Sequence, residues 1–105
     1  MDADLRAFVG QAIPSVLALE VLLFVRAWPA TIWAPDELAA VLRHSVPSCD
    51  AIMASLASRG LLARRGTGYA YQPDSPALHH LVVRLESAYR ERPVAVINAI
   101  VGKGA

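Results

Sequence analysis

The sequence predicts a single, mainly α-helical domain with one small β-hairpin. The chain has 105 residues, of which 55% are hydrophobic and 18% charged, which is typical of one folded domain with a sizeable core. Seven prolines divide it into segments with helical periodicity, because proline lacks a backbone N–H and restricts the residue before it. One later stretch alternates between apolar and polar residues around a glycine-rich turn at 66–68, as a hairpin does.

Two helices are predicted in the first 28 residues. Residues 4–12 place three apolar side chains on one face of a short helix. Ser15 is suited to be the N-cap of the next helix, over residues 16–28. This second helix is apolar nearly all round, so we expect it at the centre of the fold.

A pair of helices is predicted next. Pro35 suits a first helical position, and the acidic residues that follow it favour a helix N-terminus through the macrodipole, so a short amphipathic helix is expected as far as residue 42. Ser45 precedes the second helix of the pair, which Gly60 ends in the manner of a C-terminal glycine with positive φ. Its apolar residues follow the i, i+3, i+4, i+7 spacing of a buried face: Cys49, Ile52, Met53 and Leu56.

A hairpin and two further helices complete the chain. Strands are predicted over residues 61–65 and 69–72. A helix begins at Ser75 and ends before Pro93, and a last helix follows to residue 101. Residues 1–73 would form the central unit of the single domain, 1–105, and residues 74–105 would add C-terminal helices. Four residues are expected in the core: Leu22, Ile52, Leu56 and Leu81.

The stretch from Trp33 to Gln72 contains PDELAAVL, SVPSCDAIMASLASRGLL and ARRGTGYAY. In this order it resembles the winged helix-turn-helix domains of small bacterial regulators of the MarR and PadR types. The most specific piece, residues 56–61, resembles the end of a recognition helix that runs into the first strand of the wing. The resemblance implies that residues 45–59 hold the turn and the recognition helix, which enters the DNA major groove, and that the wing follows the phosphate backbone.

The same resemblance implies which residues contact DNA. They are Ser45, Ser48, Ala51, Ser55, Arg59, Arg64, Arg65 and Thr67. The outward face of the recognition helix departs from the usual pattern, since it has no lysine or arginine before Arg59, and Asp50 would repel phosphates. DNA binding through this helix is therefore expected to be weak, or to depend on the wing and on a second subunit. The alternative is that Arg64 and Arg65 are ordinary solvated charges on an edge hairpin.

Composition and spacing weigh against several other chemistries. Ten basic and nine acidic residues predict neither a strong polyanion binder nor a membrane-surface protein. Cys49 is the single cysteine, which excludes an intramolecular disulfide. This residue is either a small buried hydrophobe or, near a helix N-terminus, a redox-sensing thiol of lowered pKa.

His79 and His80 would point about 100° apart on a helix, which disfavours a shared metal ion. With no catalytic signature in the sequence, we expect no enzyme, cofactor or metal site.

The predicted location is cytoplasmic, without membrane contact. Asp2 and Asp4 lie where a secretory signal has basic residues. The apolar run 16–28 is broken by Glu20 and Arg26 and is shorter than the about 20 residues of a bilayer span.

Two functions fit this sequence. One is a transcriptional regulator that binds double-stranded DNA as a homodimer, with its two C-terminal helices forming the contact between subunits. For these two helices the alternative is that they fold back onto the apolar helix over residues 16–28 and complete the core of a monomer. The other function is that of a winged-helix module that binds a protein partner and does not read DNA, because one fold hosts many functions.

Overall fold

A computed structural model describes residues 2–102 of the protein. Within these residues the prediction of a mainly helical chain with a small antiparallel sheet is confirmed. The elements are α1 (Ala3–Ala12), α2 (Val16–Ala27), α3 (Pro35–Leu42), α4 (Val46–Ser58), β1 (Leu62–Arg65), β2 (Gly68–Tyr71), α5 (Pro76–Glu91) and α6 (Pro93–Val101).

Serine side chains begin three of these helices, as the sequence predicts. The hydroxyls of Ser15, Ser45 and Ser75 each accept the backbone N–H three residues later, at 3.1–3.2 Å. Each hydroxyl thus satisfies one of the four N–H groups that a helix N-terminus leaves without a partner. The N-terminal boundaries of these three helices can therefore be predicted from their capping serines.

Helix α2 lies at the centre of the core. It packs against α4, β2 and α6, and five of its twelve residues are buried. Helices α5 and α6 pack on each other and on α1, and they bury Val82, Leu85, Val96 and Ile100. The apolar stripes of the two C-terminal helices are thus covered by the same chain.

Two of the four residues expected in the core are only partly buried. Leu22 and Leu56 are fully buried, whereas Ile52 and Leu81 lie at the margin of the core. In α4 the buried positions are Met53 and its neighbours on the same face, so the helix is turned away from Ile52. In α5 the buried positions are Val82 and Leu85, so the buried stripe lies one residue after Leu81. Leu81 itself lines an open groove between α1 and α5.

The hairpin differs from its prediction at the turn. Arg65 pairs with Gly68, so the turn consists of Gly66 and Thr67 alone and Gly68 belongs to the second strand. Gly66 has φ +61°, in the left-handed region that two-residue hairpin turns require and that glycine adopts without steric cost.

Trp33 adds a further antiparallel pairing beside the hairpin. Its backbone N–H donates to the Tyr69 carbonyl at 2.8 Å, and the Tyr69 N–H donates back at 2.9 Å. This bridge ties the segment before α3 to the outer edge of β2. Nothing in the sequence pattern predicts it, because a single paired residue has no periodicity.

No single helix among residues 2–102 has both the length and the hydropathy to cross a membrane. Helices α1 and α2 reach that length and hydropathy only when taken together, and they are bent by 102° at their junction.

Candidate nucleic-acid interface

The eight predicted contact residues lie on α4 and its ends and on the hairpin. Seven of them are exposed, and Ser55 is half-buried: Ser45, Ser48, Ala51, Ser55, Arg59, Arg64, Arg65 and Thr67. The opposite face of α4 is the one that enters the core, through Cys49, Met53 and Leu56. The outward face is therefore the one that the sequence predicts, although Ser55 lies at its edge.

The exposed face of α4 offers short side chains whose hydroxyls are largely engaged. The Ser45 hydroxyl donates to the Ser48 Oγ at 2.7 Å while it caps the helix. The Ser58 hydroxyl donates to the Ser55 carbonyl at 2.7 Å. Asp50 adds an exposed carboxylate to this face. This face can approach a groove closely, but it has few free donors for base edges and it repels phosphates.

Arg59 is the first cation at the end of this helix. It is the C-cap residue of α4, with φ −90° and ψ 3°, and its side chain is exposed. Gly60 follows with φ +80° and turns the chain into β1, while the Asp74 N–H donates to the Gly60 carbonyl at 2.8 Å. The junction thereby holds Arg59 at the base of the hairpin.

Arg43 is a further exposed cation of this surface, and it is not among the contacts that the family resemblance implies. It ends α3 with φ 58° and ψ 48°, and its backbone N–H donates to the Ala39 carbonyl. Non-glycine residues seldom adopt this left-handed conformation. The exposed Arg43 side chain lies in the short turn between α3 and α4. The left-handed backbone conformation of Arg43 marks this turn, and residue composition and spacing do not predict it.

Arg64 and Arg65 lie at the end of β1 beside the turn, and their side chains leave the strand on opposite faces. The Arg64 guanidinium carbon lies 5.6 Å from the centroid of the Tyr69 ring, and Nη1 donates to the Tyr69 hydroxyl at 3.4 Å. Arg65 donates through Nη2 to the Gln72 side-chain oxygen. Each guanidinium is thus oriented by a neutral partner that leaves its charge uncompensated.

The nine arginines of residues 2–102 comprise three that bind carboxylates and six that do not. Three are bound to carboxylates: Arg26 and Arg90 to Glu86, and Arg84 to Asp2. In residues 2–102 no carboxylate lies within ion-pair distance of the arginines of the candidate interface, which are Arg43, Arg59, Arg64 and Arg65. Arg6 and Arg92 are likewise exposed without a carboxylate partner, so four of the six uncompensated arginines in residues 2–102 lie on the turn between α3 and α4, the end of α4 and the hairpin.

A polar cluster joins the hairpin to α2 and α5; its members are Tyr71, His79, Arg26, Glu86 and Arg90, and we call it the Tyr71 cluster. The Tyr71 hydroxyl lies 2.9 Å from His79 Nδ1, and Arg26 Nη1 donates to Glu86 Oε1 at 2.9 Å. Arg90 Nη2 lies 3.6 Å from the same carboxylate oxygen. Burial raises the pKa of the Tyr71 phenol, while the nearby Arg26 guanidinium opposes this effect. The cluster is not predictable from motifs or spacing, because its members are as much as 64 residues apart in the sequence.

Cys49 is fully buried, and burial raises the pKa of its thiol. A thiol of raised pKa in apolar surroundings is a poor nucleophile. The interpretation of Cys49 as a redox-sensing thiol of lowered pKa is therefore wrong, and the residue acts as a small buried hydrophobe.

Within residues 2–102, the adjacent histidines of α5, His79 and His80, are not placed to share a metal ion. The rings of His79 and His80 are 6.3 Å apart between centroids, and His79 is bonded to Tyr71. Among residues 2–102, no group of three histidine, cysteine, aspartate or glutamate residues is arranged to hold a metal ion.

Comparison of the chain with protein-family models, with curated proteins and with solved structures finds no match. The resemblance to winged helix-turn-helix regulators therefore stays a prediction from the sequence.

Proposed function

We propose that the protein is a DNA-binding transcriptional regulator built on a winged helix-turn-helix. In this proposal α3 and α4 are the helix-turn-helix pair, α4 is the recognition helix, and the hairpin is the wing. The Trp33–Tyr69 bridge supports the assignment, because it ties the chain entering α3 to β2. The two helices and the hairpin would then be presented to DNA as one unit.

The observation that carries the proposal is the distribution of uncompensated arginines. Within residues 2–102, Arg43, Arg59, Arg64 and Arg65 are exposed and have no carboxylate partner, although the chain as a whole carries a net charge of only +1. Exposed cations of this kind bind phosphates and release counterions. Four of the six uncompensated arginines in residues 2–102 thus lie on α4, the turn before it and the hairpin, and a surface with this concentration of positive charge suits a polyanionic duplex.

The exposed face of α4 determines how strongly DNA binding would depend on base sequence. Its exposed face carries serine, alanine and Asp50 in place of the arginine, lysine, asparagine or glutamine side chains that usually read base edges. Phosphate contacts would therefore supply most of the affinity, and base contacts through α4 would add modest sequence preference.

The decisive experiment is fluorescence anisotropy with a labelled random duplex in low and in moderate salt. We expect binding at micromolar protein, with log Kobs falling against log salt with a slope of about −3 to −4 if four arginines neutralise phosphates. Absence of binding at low salt would overturn the proposal.

A homodimer is part of the proposal, since two copies on one duplex would offset the weak contact set of each. The core of the chain already covers the apolar stripes of α5 and α6. The contact between copies would instead use the outer face of α6, where Val94 is 68% and Val101 65% exposed. Sedimentation equilibrium tests this directly, with twice the chain mass of 11.3 kDa expected. A mass of one chain at micromolar concentration would refute the dimer.

A second candidate function is a module that binds a protein partner. It is favoured by two large apolar side chains in the segment between α2 and α3, Trp28 and Ile32, which are 56% and 54% exposed. Exposed tryptophan is a common anchor of protein interfaces. If the anisotropy experiment shows no DNA binding, this function becomes the stronger proposal.

A further inference from the structure

Asp50 is an exposed carboxylate on α4 that takes no part in the contacts of the fold. It is the fifth residue of the helix, so it lies beyond the first turn, where the macrodipole favours a negative charge. The N-cap of α4 is Ser45. Within residues 2–102, the Asp50 side chain has neither a hydrogen-bond partner nor an ion pair, although the exposed Arg43 and Arg59 precede and follow the helix. These contacts give the carboxylate no structural role.

The negative charge of Asp50 weakens the binding of α4 to phosphates. The four arginines of the candidate interface would attract a polyanion more strongly without it. In a complex with DNA, the carboxylate offsets this loss only where it accepts a hydrogen bond from the duplex. In the major groove such donors lie on the edges of the bases, whereas the phosphate oxygens are acceptors. The useful contact of Asp50 is therefore with a base.

The helix surface beside Asp50 is low enough for a short side chain to reach the bases. Successive residues of an α-helix are about 100° apart, so the side opposite the buried Cys49 and Met53 follows from the sequence. The residues at its centre are small and exposed: Pro47, Ala51 and Ala54. None of them would hold the backbone of α4 away from the floor of a groove. Aspartate, with a single methylene group, can then approach a base edge.

The chemistry of an ionised carboxylate selects cytosine among the four bases. Both oxygens of the carboxylate accept hydrogen bonds and neither donates. In the major groove guanine presents two acceptors, thymine presents an acceptor beside its methyl group, and adenine has the N7 acceptor beside its N6 amino group. Cytosine presents its N4 amino donor alone. The carboxylate is therefore attracted most strongly by cytosine.

We propose that Asp50 determines the base preference of α4 by accepting a hydrogen bond from the N4 amino group of a cytosine in the major groove. The proposal rests on the proposed function, in which α4 enters that groove. It goes further, because the arginines bind any duplex, whereas Asp50 discriminates between sequences. Each bound site then contains a cytosine at one fixed position.

The experiment selects binding sites from a random duplex library with the wild type and two variants. We expect the wild-type sites to share one cytosine that the sites of Asp50→Ala lack. Asp50→Asn keeps the size of the side chain and adds a donor, so its sites should shift toward adenine, the usual partner of asparagine. In anisotropy titrations with each of the four base pairs at that position, the wild type should prefer cytosine by about 5- to 20-fold.

Asp36→Asn is the matched control. Asp36 is an exposed aspartate in the first turn of α3, so the variant removes the same charge from the neighbouring helix. At about 10 mM salt, where charges act over about 30 Å, both Asp→Asn variants should bind a random duplex at least about twofold more tightly than the wild type. Only Asp50→Asn should change the base preference. A cytosine preference that persists in Asp50→Asn and in Asp50→Ala would overturn the proposal.

Two further measurements separate this inference from misfolding and from failure of the proposed function. In urea unfolding, Asp50→Asn and Asp50→Ala should be no less stable than the wild type, because the carboxylate has no partner within residues 2–102. A wild type that binds selected and random duplexes equally would overturn the inference and leave the proposed function intact. A wild type that binds neither duplex at low salt would overturn the proposed function, and the inference with it.

Discussion

Trp33 and Tyr69 exchange two backbone hydrogen bonds, at 2.8 and 2.9 Å, beside a position that only glycine fits. A Cβ on Gly68 would lie 2.7 Å from the Trp33 carbonyl oxygen and 2.9 Å from a methyl group of Ile32. The pairing between the segment before α3 and the hairpin therefore depends on the absence of a side chain at residue 68.

Gly68→Ala should destabilise the protein more than Gly66→Ala. The first substitution overfills a packed contact, at about 1 to 3 kcal/mol, and strains two hydrogen bonds of about 1 kcal/mol each. The second only places a Cβ on a left-handed residue in open space, at about 1 to 2 kcal/mol. Urea unfolding of both variants measures the difference. Equal losses would show that the Trp33–Tyr69 bridge adds little to stability.

Leu56→Ala should lower the free energy of unfolding by about 2 to 5 kcal/mol, the usual range for a large-to-small change in a core. Leu56 is fully buried on α4, whereas Ile52, one turn earlier, is only half-buried. Ile52→Ala is the matched comparison and should cost clearly less. Chemical denaturation gives both values, and a larger loss for Ile52→Ala would mean that α4 is turned differently about its axis.

Replacing Arg64 and Arg65 together by alanine should weaken DNA binding at least about tenfold and reduce the slope of the salt dependence by about 2. The melting temperature should change little, because exposed charges contribute little to folding. The matched control removes two exposed arginines outside the hairpin, Arg6 and Arg92, and should leave affinity nearly unchanged. Equal weakening by both double variants would show that binding responds to net charge and not to the wing.

The Cys49 thiol should not react with Ellman's reagent in the native protein at pH 8. It is fully buried, and its raised pKa keeps it protonated at that pH. In denaturing urea one thiol per chain should react at once. Rapid reaction under native conditions would mean that the N-terminal part of α4 opens readily.

Stability should decline as the pH rises above about 10, the usual ionisation range of tyrosine. The folded chain holds the Tyr71 proton more tightly than the unfolded chain, because burial raises the pKa of this phenol. The unfolded state therefore loses its proton first, and this part of the stability, complete below about pH 10, is lost between the two pKa values. Urea unfolding of the wild type and Tyr71→Phe at pH 8 and 10.5 should show a smaller decline in the variant. Equal declines would assign the effect to other groups.

The helix boundaries were predictable from the sequence, because they depend on single residues and their immediate neighbours. The prolines and the capping residues Ser15, Ser45 and Ser75 mark helix boundaries, because each acts on the backbone within three residues of itself. The choice of Met53 over Ile52 for the core of α4 was not predictable, because both fit the apolar spacing and only the partner helices decide between them.

Within the candidate interface, the exposure of the arginines followed from their sequence context, but their lack of carboxylate partners did not. That absence depends on where Glu86 and Asp2 lie in space, and both bind arginines elsewhere. The link between Tyr71 and His79 was unpredictable for the same reason, since eight residues and a change of element separate them.

Helix α1 finds its partners at the opposite end of the chain, on α5 and α6. Newly made α1 thus leaves the ribosome with its apolar face uncovered, because α5 begins 64 residues after the end of α1 and α6 ends 89 residues after it. Contacts so distant in sequence raise the contact order and slow folding. During synthesis the helical pair α3 and α4, whose contacts are local, can form first, while the contacts of α1 with α5 and α6 form last.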